Sequence, residues 1–281
     1  MKNTVLLGLD VGGSSIKAAL VDVEAGRTVT PLQAIPTPAP STPESVLQIC
    51  ARVDRELGAS GTVGLAFPSV IQHGVARTAA NVDKSWIGCR GGEQLSRLIG
   101  RPVEFINDAD AAGLAEVVAG AGKGVTGVVM LLTFGTGIGS ALFLDGELVP
   151  NTELGHMELH GVDAELTASA RVRTEERLDY ASWCERVNDY LGRLHALFWP
   201  DLFIIGGSIS EDFDQYRHLL HSPTEIRRAT YGAQSGVVGA AFAAVRRQRR
   251  GAAGAGGGGA VGGKIAPAVP SDVTSPRGRS A

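Results

Sequence analysis

Two short stretches constrain this chain more than any other feature. Leu9-Asp10-Val11-Gly12-Gly13-Ser14-Ser15-Ile16-Lys17 and, about 125 residues further on, Thr133-Phe134-Gly135-Thr136-Gly137-Ile138-Gly139-Ser140 are both rich in glycine and hydroxyl groups. Each lies between two apolar, β-rich runs: Thr4 to Leu9 and Ile16 to Val21 in the first case, Val128 to Thr133 and Ile138 to Leu144 in the second. Such a pattern reads as strand, glycine turn, strand. A chain that makes this unit twice is expected to fold into two similar lobes facing a cleft. The second unit lies within Val125 to Leu144, twenty residues without a charge and with a GxxxG spacing at Gly135 and Gly139. That is the look of a membrane helix, but four glycines and three threonines make the stretch a poor helix and a good hairpin.

The rest of the chain alternates strands and helices. Within Pro43 to Leu57, Val46, Cys50, Val53 and Leu57 recur at helical spacing, with Thr42 as N-cap, Pro43 in the first helical position and Gly58 just past the end. A Pro-rich loop, Pro31 to Pro43, precedes it. Further strands are expected at Thr62 to Phe67, Val103 to Ile106 and Leu202 to Ile205, and further helices at Gly92 to Ile99, Ala109 to Val118, Tyr180 to Trp199 and Gly236 to Arg250. This alternation predicts an α/β fold. The expected division is a first lobe of residues 1–107, completed by the helix over 236–250, and a second lobe of residues 108–235. Beyond Arg250 the composition collapses into Gly, Ala, Pro and Ser, so residues 251–281 are expected to be a disordered tail. Nine of the 38 glycines fall there. The remaining 29 are still an enrichment over the usual ~7%, and the folded part must contain turns that only glycine makes easily.

Charge and cysteine content exclude other classes. Lys and Arg total 26 against 29 Asp and Glu, a formal charge of -3, so the chain lacks the electrostatic footprint of a nucleic-acid binder. Cys50, Cys89 and Cys184 are an odd, scattered set that fits neither a disulfide framework nor a zinc site, and a cytoplasmic location is expected. Near the N-terminus, Asp10 interrupts the apolar run that follows Lys2, too soon for a signal peptide or a membrane anchor.

The chemistry concentrates in four places. In the first turn, Gly12 and Gly13 let backbone N–H groups approach a phosphate, Ser14 and Ser15 add donors, and Asp10 at the same mouth can hold Mg²⁺ through water. The spacing is neither GxGxxG nor GxxxxGK[ST], and an ordinary hairpin turn could carry the same residues. Its counterpart, with Thr133, Gly135, Thr136 and Gly137, repeats the composition between two strands. Asn107-Asp108-Ala109-Asp110 falls where a strand gives way to a helix, so Asp108 could act as a general base beside a substrate-fixing amide, or these residues could be N-caps. Glu153-Leu154-Gly155-His156-Met157-Glu158 gathers acceptors suited to polyol hydroxyls, or forms an exposed turn. No cysteine follows His156 closely enough to suggest a metal site.

In this order and spacing, Asp10-Val11-Gly12-Gly13 with Lys17, Asn107-Asp108-Ala109, Gly135-Thr136-Gly137-Ile138-Gly139 and Glu153-Leu154-Gly155-His156 resemble the ROK family of sugar kinases, repressors and related proteins. Gly206-Gly207 after an apolar strand is similar to that family's adenosine-side turn, and the resemblance spans roughly residues 4–245. It implies the two-lobed actin-like ATPase (ribonuclease H-like) fold with a catalytic cleft between the lobes. Many family members carry a C-x-C-G-x-x-G-C zinc motif after the histidine; here Gly161 to Arg177 contains no cysteine. The first strand also starts too early for the helix-turn-helix of the DNA-binding members. The missing zinc motif, together with Arg77-Thr78-Ala79-Ala80-Asn81-Val82-Asp83-Lys84-Ser85-Trp86 and Gly161-Val162-Asp163-Ala164-Glu165, is similar to the polyphosphate glucokinase branch of actinobacteria. Ser69 stands where the family pattern has glycine.

The resemblance also implies roles. Asp108 would accept the proton of the 6-hydroxyl of glucose, while Asn81, Asn107, Glu153, His156 and Glu165 would hold the sugar. Gly12, Gly13, Ser14, Ser15, Lys17, Thr133, Gly135, Thr136 and Gly137 would cradle the phosphates of inorganic polyphosphate or ATP. Gly206 and Gly207 would meet the nucleotide, Asp10 would position Mg²⁺, and the chain would form a homodimer with no nucleic-acid or membrane partner. An ATP-only hexokinase is the nearest alternative, followed by a repressor and a sugar-binding protein without activity. Arg171, Arg173 and Arg177 would line a polyphosphate track or a solvated helix face.

Overall fold

The computed structural model describes residues 4–255, with only the backbone described over 249–255. Val5–Val11 (β1) and Ser15–Asp22 (β2) pair antiparallel from Val5 opposite Asp22 to Val11 opposite Ile16. Arg27–Thr28 (β3) and Gln33–Pro36 (β4) pair with the outer edge of β2, so a strand lies inside the stretch expected to be a Pro-rich loop. Helix Pro43–Leu57 (α1) keeps the caps read from the sequence: the Thr42 side chain accepts from the Ser45 N–H at 3.3 Å, and Gly58 takes the left-handed conformation at φ 61°. Val63–Phe67 (β5) then runs parallel to β1. A small hairpin, Ile71–Gln72 (β6) with Val75–Ala76 (β7), and helix Gly91–Ile99 (α2) lead to Val103–Asn107 (β8), parallel to β5. The first sheet is thus ordered β3-β2-β1-β5-β8.

Helix Asp108–Ala119 (α3) carries the chain to a second sheet with the same plan. Val128–Phe134 (β9) and Ile138–Leu144 (β10) form the hairpin, and Glu147–Val149 (β11) extends it. A short hairpin, Glu158–Leu159 (β12) with Val162–Asp163 (β13), and helices Glu165–Ala168 (α4), Ala170–Glu175 (α5) and Tyr180–Phe198 (α6) follow. Leu202–Gly206 (β14) lies parallel to β9, and after Phe213–Tyr216 (α7) the strand Glu225–Arg228 (β15) lies parallel to β14. The order β11-β10-β9-β14-β15 repeats the first sheet: an antiparallel arm, then two parallel strands.

The two sheets are held together by α3 and by helix Ser235–Ala255 (α8). Leu6, Ala19 and Val21 from the first sheet meet Leu114, Val117, Val237 and Phe242 from these helices and Val129, Leu131 and Phe143 from the second sheet. On the outer face of the first sheet, Leu7, Leu9 and Phe67 pack with Val46, Val53, Trp86 and Leu95. On the outer face of the second, Met130, Leu132 and Phe134 pack with Trp183, Val187, Leu191 and Leu194 of α6. Helix α8 lies unusually close to its neighbours. A Cβ at Gly8 or Gly64 would collide with the α8 backbone at Val237 or Ala240, and one at Gly239 with the carbonyl of Ala111 in α3. Helix α8 continues to Ala255, five residues beyond the expected end at Arg250. The rest of the expected tail lies outside the described residues. Among the described residues no helix is long and apolar enough to cross a membrane, and the uncharged stretch over 125–144 contains the β9–β10 hairpin.

Candidate active site

Parallel strands deliver their following turns to one edge of a sheet. The first turn is closed by the Gly12 N–H donating to the Ser15 carbonyl at 2.9 Å, and it is braced by Thr37, whose hydroxyl donates to the Gly12 carbonyl at 2.6 Å. Gly13 and Ser14 at its tip are exposed. Asn81 packs its Cβ and carbonyl against Gly13, so it stands beside this turn. The second turn is closed by the Gly135 N–H donating to the Gly137 carbonyl at 3.0 Å, with Thr136 exposed and Thr133 half-buried at the end of β9. Gly206 is in register with Thr133. Gly207, at φ 80°, packs so tightly on the backbone of Phe134 that a side chain there would clash. The turn expected to meet the nucleotide and the second turn expected to cradle phosphates are therefore neighbours.

Between the two turns lies a group of carboxylates. Asp10, near the end of β1, faces Lys17 across the strand pair, with Nζ to Oδ2 at 3.7 Å. Burial pushes the Asp10 carboxyl up and Lys17 draws it part of the way back. Asp108 opens α3, and its Oδ1 accepts from the Ala109 N–H at 2.9 Å. Burial first, and then the charges of Asp10 and Glu153, push its pKa up to about 6. A carboxylate poised there can take a proton near neutrality. Asn107 proves to be the N-cap of α3: its Oδ1 accepts from the Asp110 N–H at 3.0 Å and its Nδ2 donates to the Ser69 carbonyl at 3.1 Å. An amide has two N–H groups, so one remains for a substrate.

The segment over 153–165 supplies the remaining polar groups. Glu153 is open to solvent on one side; the buried part of its surroundings and the Glu165 charge raise its pKa, against His156. His156 ends the 3₁₀ turn Leu154–His156, and its Nδ1 lies 3.0 Å from Asp163 Oδ2 and 3.8 Å from Glu165 Oε1. The bond to Asp163 is the main reason its imidazole is held above the ordinary range. With Nδ1 so occupied, Nε2 is the nitrogen left for a ligand. Glu165 Oε2 accepts from the Ile138 N–H at 3.2 Å, which fastens this acid to the second glycine turn.

Sequence reasoning missed several supporting groups. Asp163 was visible only as part of the Gly161 to Glu165 pattern, and it orients His156 across the β12–β13 hairpin. The Ser140 hydroxyl accepts from the Leu154 N–H at 3.0 Å and donates to the Thr152 carbonyl, pinning the loop that carries Glu153 to β10. Gly236 abuts the Asp10 carboxyl so closely that any side chain would displace it. Ser69, where glycine was expected, is buried and serves as a clasp: its hydroxyl donates to the Val70 carbonyl and accepts from the Thr78 N–H at 3.2 Å.

A magnesium ion is the cofactor that the sequence resemblance implies. The donor set suits it, because Mg²⁺ is commonly held by one or two carboxylates with waters and substrate phosphates completing its shell. Asp10 is a half-buried carboxylate between the first phosphate turn and Asp108, and among the described residues no cluster of three ligating side chains forms a dedicated protein cage.

Two sheets of the same plan, each with a glycine turn after its first strand, and a group of carboxylates around Asp108 define a kinase-class protein of the actin-like ATPase fold. The chain belongs to the ROK family, whose pattern matches residues 6–171. It is 46% identical to the polyphosphate glucokinase of Mycobacterium tuberculosis (strain CDC 1551 / Oshkosh) over 85% of this chain and 90% of that protein. It is 44% identical to the polyphosphate glucokinase of Mycobacterium leprae (strain TN) over 84% of this chain and 73% of that protein. The crystal structure of inorganic polyphosphate/ATP-glucomannokinase from Arthrobacter sp. strain KM superposes with a TM-score of 0.83 at 46% identity, covering 87% of this chain and 100% of that one. A ROK family glucokinase from Streptomyces griseus, in complex with glucose and AMPPNP, shares the fold at a TM-score of 0.74 and 22% identity, covering 86% of this chain and 99% of that one.

Proposed function

We propose that this protein is a polyphosphate glucokinase, which moves the terminal phosphoryl group of inorganic polyphosphate, or of ATP, to the 6-hydroxyl of glucose. The observation that supports the reading is Asp108, at the start of α3 with Asp10 and Glu153 near it, its pKa raised to about 6 by burial and by their charges. The long, close similarity to polyphosphate glucokinases supports the donor and the sugar. In the reaction the 6-hydroxyl oxygen forms a bond to the terminal phosphorus as the bridging P–O bond breaks. The hydroxyl proton passes to Asp108, whose Oδ2 is the oxygen not committed to Ala109. Glucose 6-phosphate leaves with a polyphosphate one unit shorter, or with ADP.

Asn81, Asn107, Glu153, His156 and Glu165 orient the sugar, so that much of the barrier is met by positioning. Gly12, Gly13, Ser14, Ser15 and Lys17 on one side and Thr133, Gly135, Thr136 and Gly137 on the other receive the phosphates; Gly206 and Gly207 receive the nucleotide. Asp10 would hold Mg²⁺, which when bound supplies charge neutralisation on the phosphates. Closure of a lobe of residues 1–107 with α8 against a lobe of residues 108–235 keeps water from competing with the sugar. A cytoplasmic homodimer feeding glucose into glycolysis completes the proposal. The test is glucose 6-phosphate formation with polyphosphate alone and with ATP alone. Turnover with polyphosphate alone is expected; turnover with ATP alone and none with polyphosphate would assign the protein as an ATP-only hexokinase, and none with either donor would reject both.

A further inference from the structure

Asn151, in the loop between β11 and the 3₁₀ turn that ends at His156, makes contacts that the sugar-binding reading does not use. Its side-chain amide pairs with the peptide of Ile71 in both directions: the Ile71 N–H donates to Oδ1 at 2.7 Å and Nδ2 donates to the Ile71 carbonyl at 3.0 Å. This copies the paired bonds of an antiparallel ladder, joining a residue that follows the second sheet's arm to β6 of the small hairpin between β5 and α2. The backbone of Asn151 is left-handed, at φ 59°, a conformation that asparagine tolerates better than most residues. Its N–H donates to Asp110 Oδ2 at 2.8 Å.

Asp110 is 1% exposed and also binds the other anchor of the same segment. Its N–H donates to Asn107, and Asn107 donates to the carbonyl of Ser69. The segment over 69–71 is therefore gripped twice, at Ser69 by Asn107 and at Ile71 by Asn151, and both asparagines are fixed by Asp110 in the first turn of α3. Ser140 ties the residues on either side of Glu153, Thr152 and Leu154, to β10. The Glu153 loop is thus fastened to β10 by Ser140 and, two residues before Glu153, to the β6–β7 hairpin by Asn151.

We propose that Asn151 is a positioning residue for the sugar side of the active site, registering the Glu153 loop against the β6–β7 hairpin and the first turn of α3, and so against Asp108. The inference rests on the proposed function for the role of Glu153. An amide clip of this kind acts on where the sugar is held and leaves the donor phosphates, bound by the two glycine turns, alone.

Asn151→Gly separates this role from a merely structural one, because glycine keeps the left-handed backbone and the N–H to Asp110 and removes only the two bonds to Ile71. For that variant the KM for glucose is expected to rise about tenfold or more, with kcat and the KM for either donor within about threefold of wild type and a Tm within a few degrees. Asp110→Asn, which retains an acceptor for the Asn151 N–H, is expected to bind glucose better than Asp110→Ala. A wild-type KM for glucose in Asn151→Gly overturns the proposal, and so does an equal rise in the glucose and donor KM values, which would mark a general loss of structure. A wild-type protein that neither binds glucose in a calorimetric titration nor phosphorylates it overturns the functional reading itself, an outcome seen before any variant is compared.

Discussion

The proposed role of Asp108 as proton acceptor can be tested by removing its capacity to take a proton. Asp108→Asn keeps a group of the same shape and should cut kcat by about a hundredfold or more while glucose affinity stays within about tenfold, measured by turnover and by equilibrium titration. In the wild type, kcat/KM should fall about tenfold per pH unit once the pH drops below about 6, where Asp108 is protonated. The same shift acts on stability with a definite sign. The native pKa lies above the ordinary 3.8, so the contribution that protonated Asp108 makes to stability is complete below that value and is lost as pH rises through about 6. Asp108→Asn should therefore melt higher than wild type at pH 8, with a gain that shrinks as the pH is lowered toward 4. The place of Asp108 at a strand-to-helix corner was legible in the sequence, while its proposed role as a base came from the family resemblance. Asp163 and Asn151 were not legible, since each acts through a partner that only folding brings near: His156 for one, Ile71 for the other.

Among the elements, α3 shows how much a helix can hold beyond its own turns. Glu116 is fully buried, and its carboxylate accepts from the N–H groups of Ala121, Thr230 and Tyr231, closing the end of α3 and fastening the chain after β15 to it. Glu116→Ala would take the partner from three N–H groups at the partly buried end of α3 and should destabilise the protein by about 2 kcal/mol or more, read from denaturant unfolding at pH 7. Nothing in the run Ala109 to Ala119 marks Glu116 as buried, because an acidic residue in an alanine-rich helix ordinarily faces water. Helix α1, by contrast, was legible to the residue, since its caps and its apolar spacing are local. Strand β15 was not: Glu-Ile-Arg-Arg has no strand pattern of its own and is recruited by the free edge of β14. The short helices α4 and α5 were also unread, being too brief for a period to show.

At the scale of the whole molecule, two sheets of the same plan bring two glycine turns to one region, and this arrangement bears on the choice of donor. In the proposed reaction ATP would have an adenine for the Gly206–Gly207 turn to meet, whereas polyphosphate offers only charge. Its specificity constant should therefore fall more steeply than that of ATP across about a tenfold range of ionic strength; equal slopes would show that charge does not distinguish the two donors. Helix α8 has a consequence of a different kind, for the order in which the parts can form during synthesis. All five strands of the first sheet's main path are translated by Asn107, yet the helix that rests on the bare backbone of Gly8 and Gly64 begins only at Ser235. At ordinary rates of translation that leaves the first sheet waiting on the order of ten seconds for its cover. The second sheet, complete at Arg228, has its α6 already in hand. The half of the protein that is made first is thus the half that must finish last, and its uncovered face, with Leu6, Ala19 and Val21, is the surface a nascent chain of this fold exposes to its chaperones.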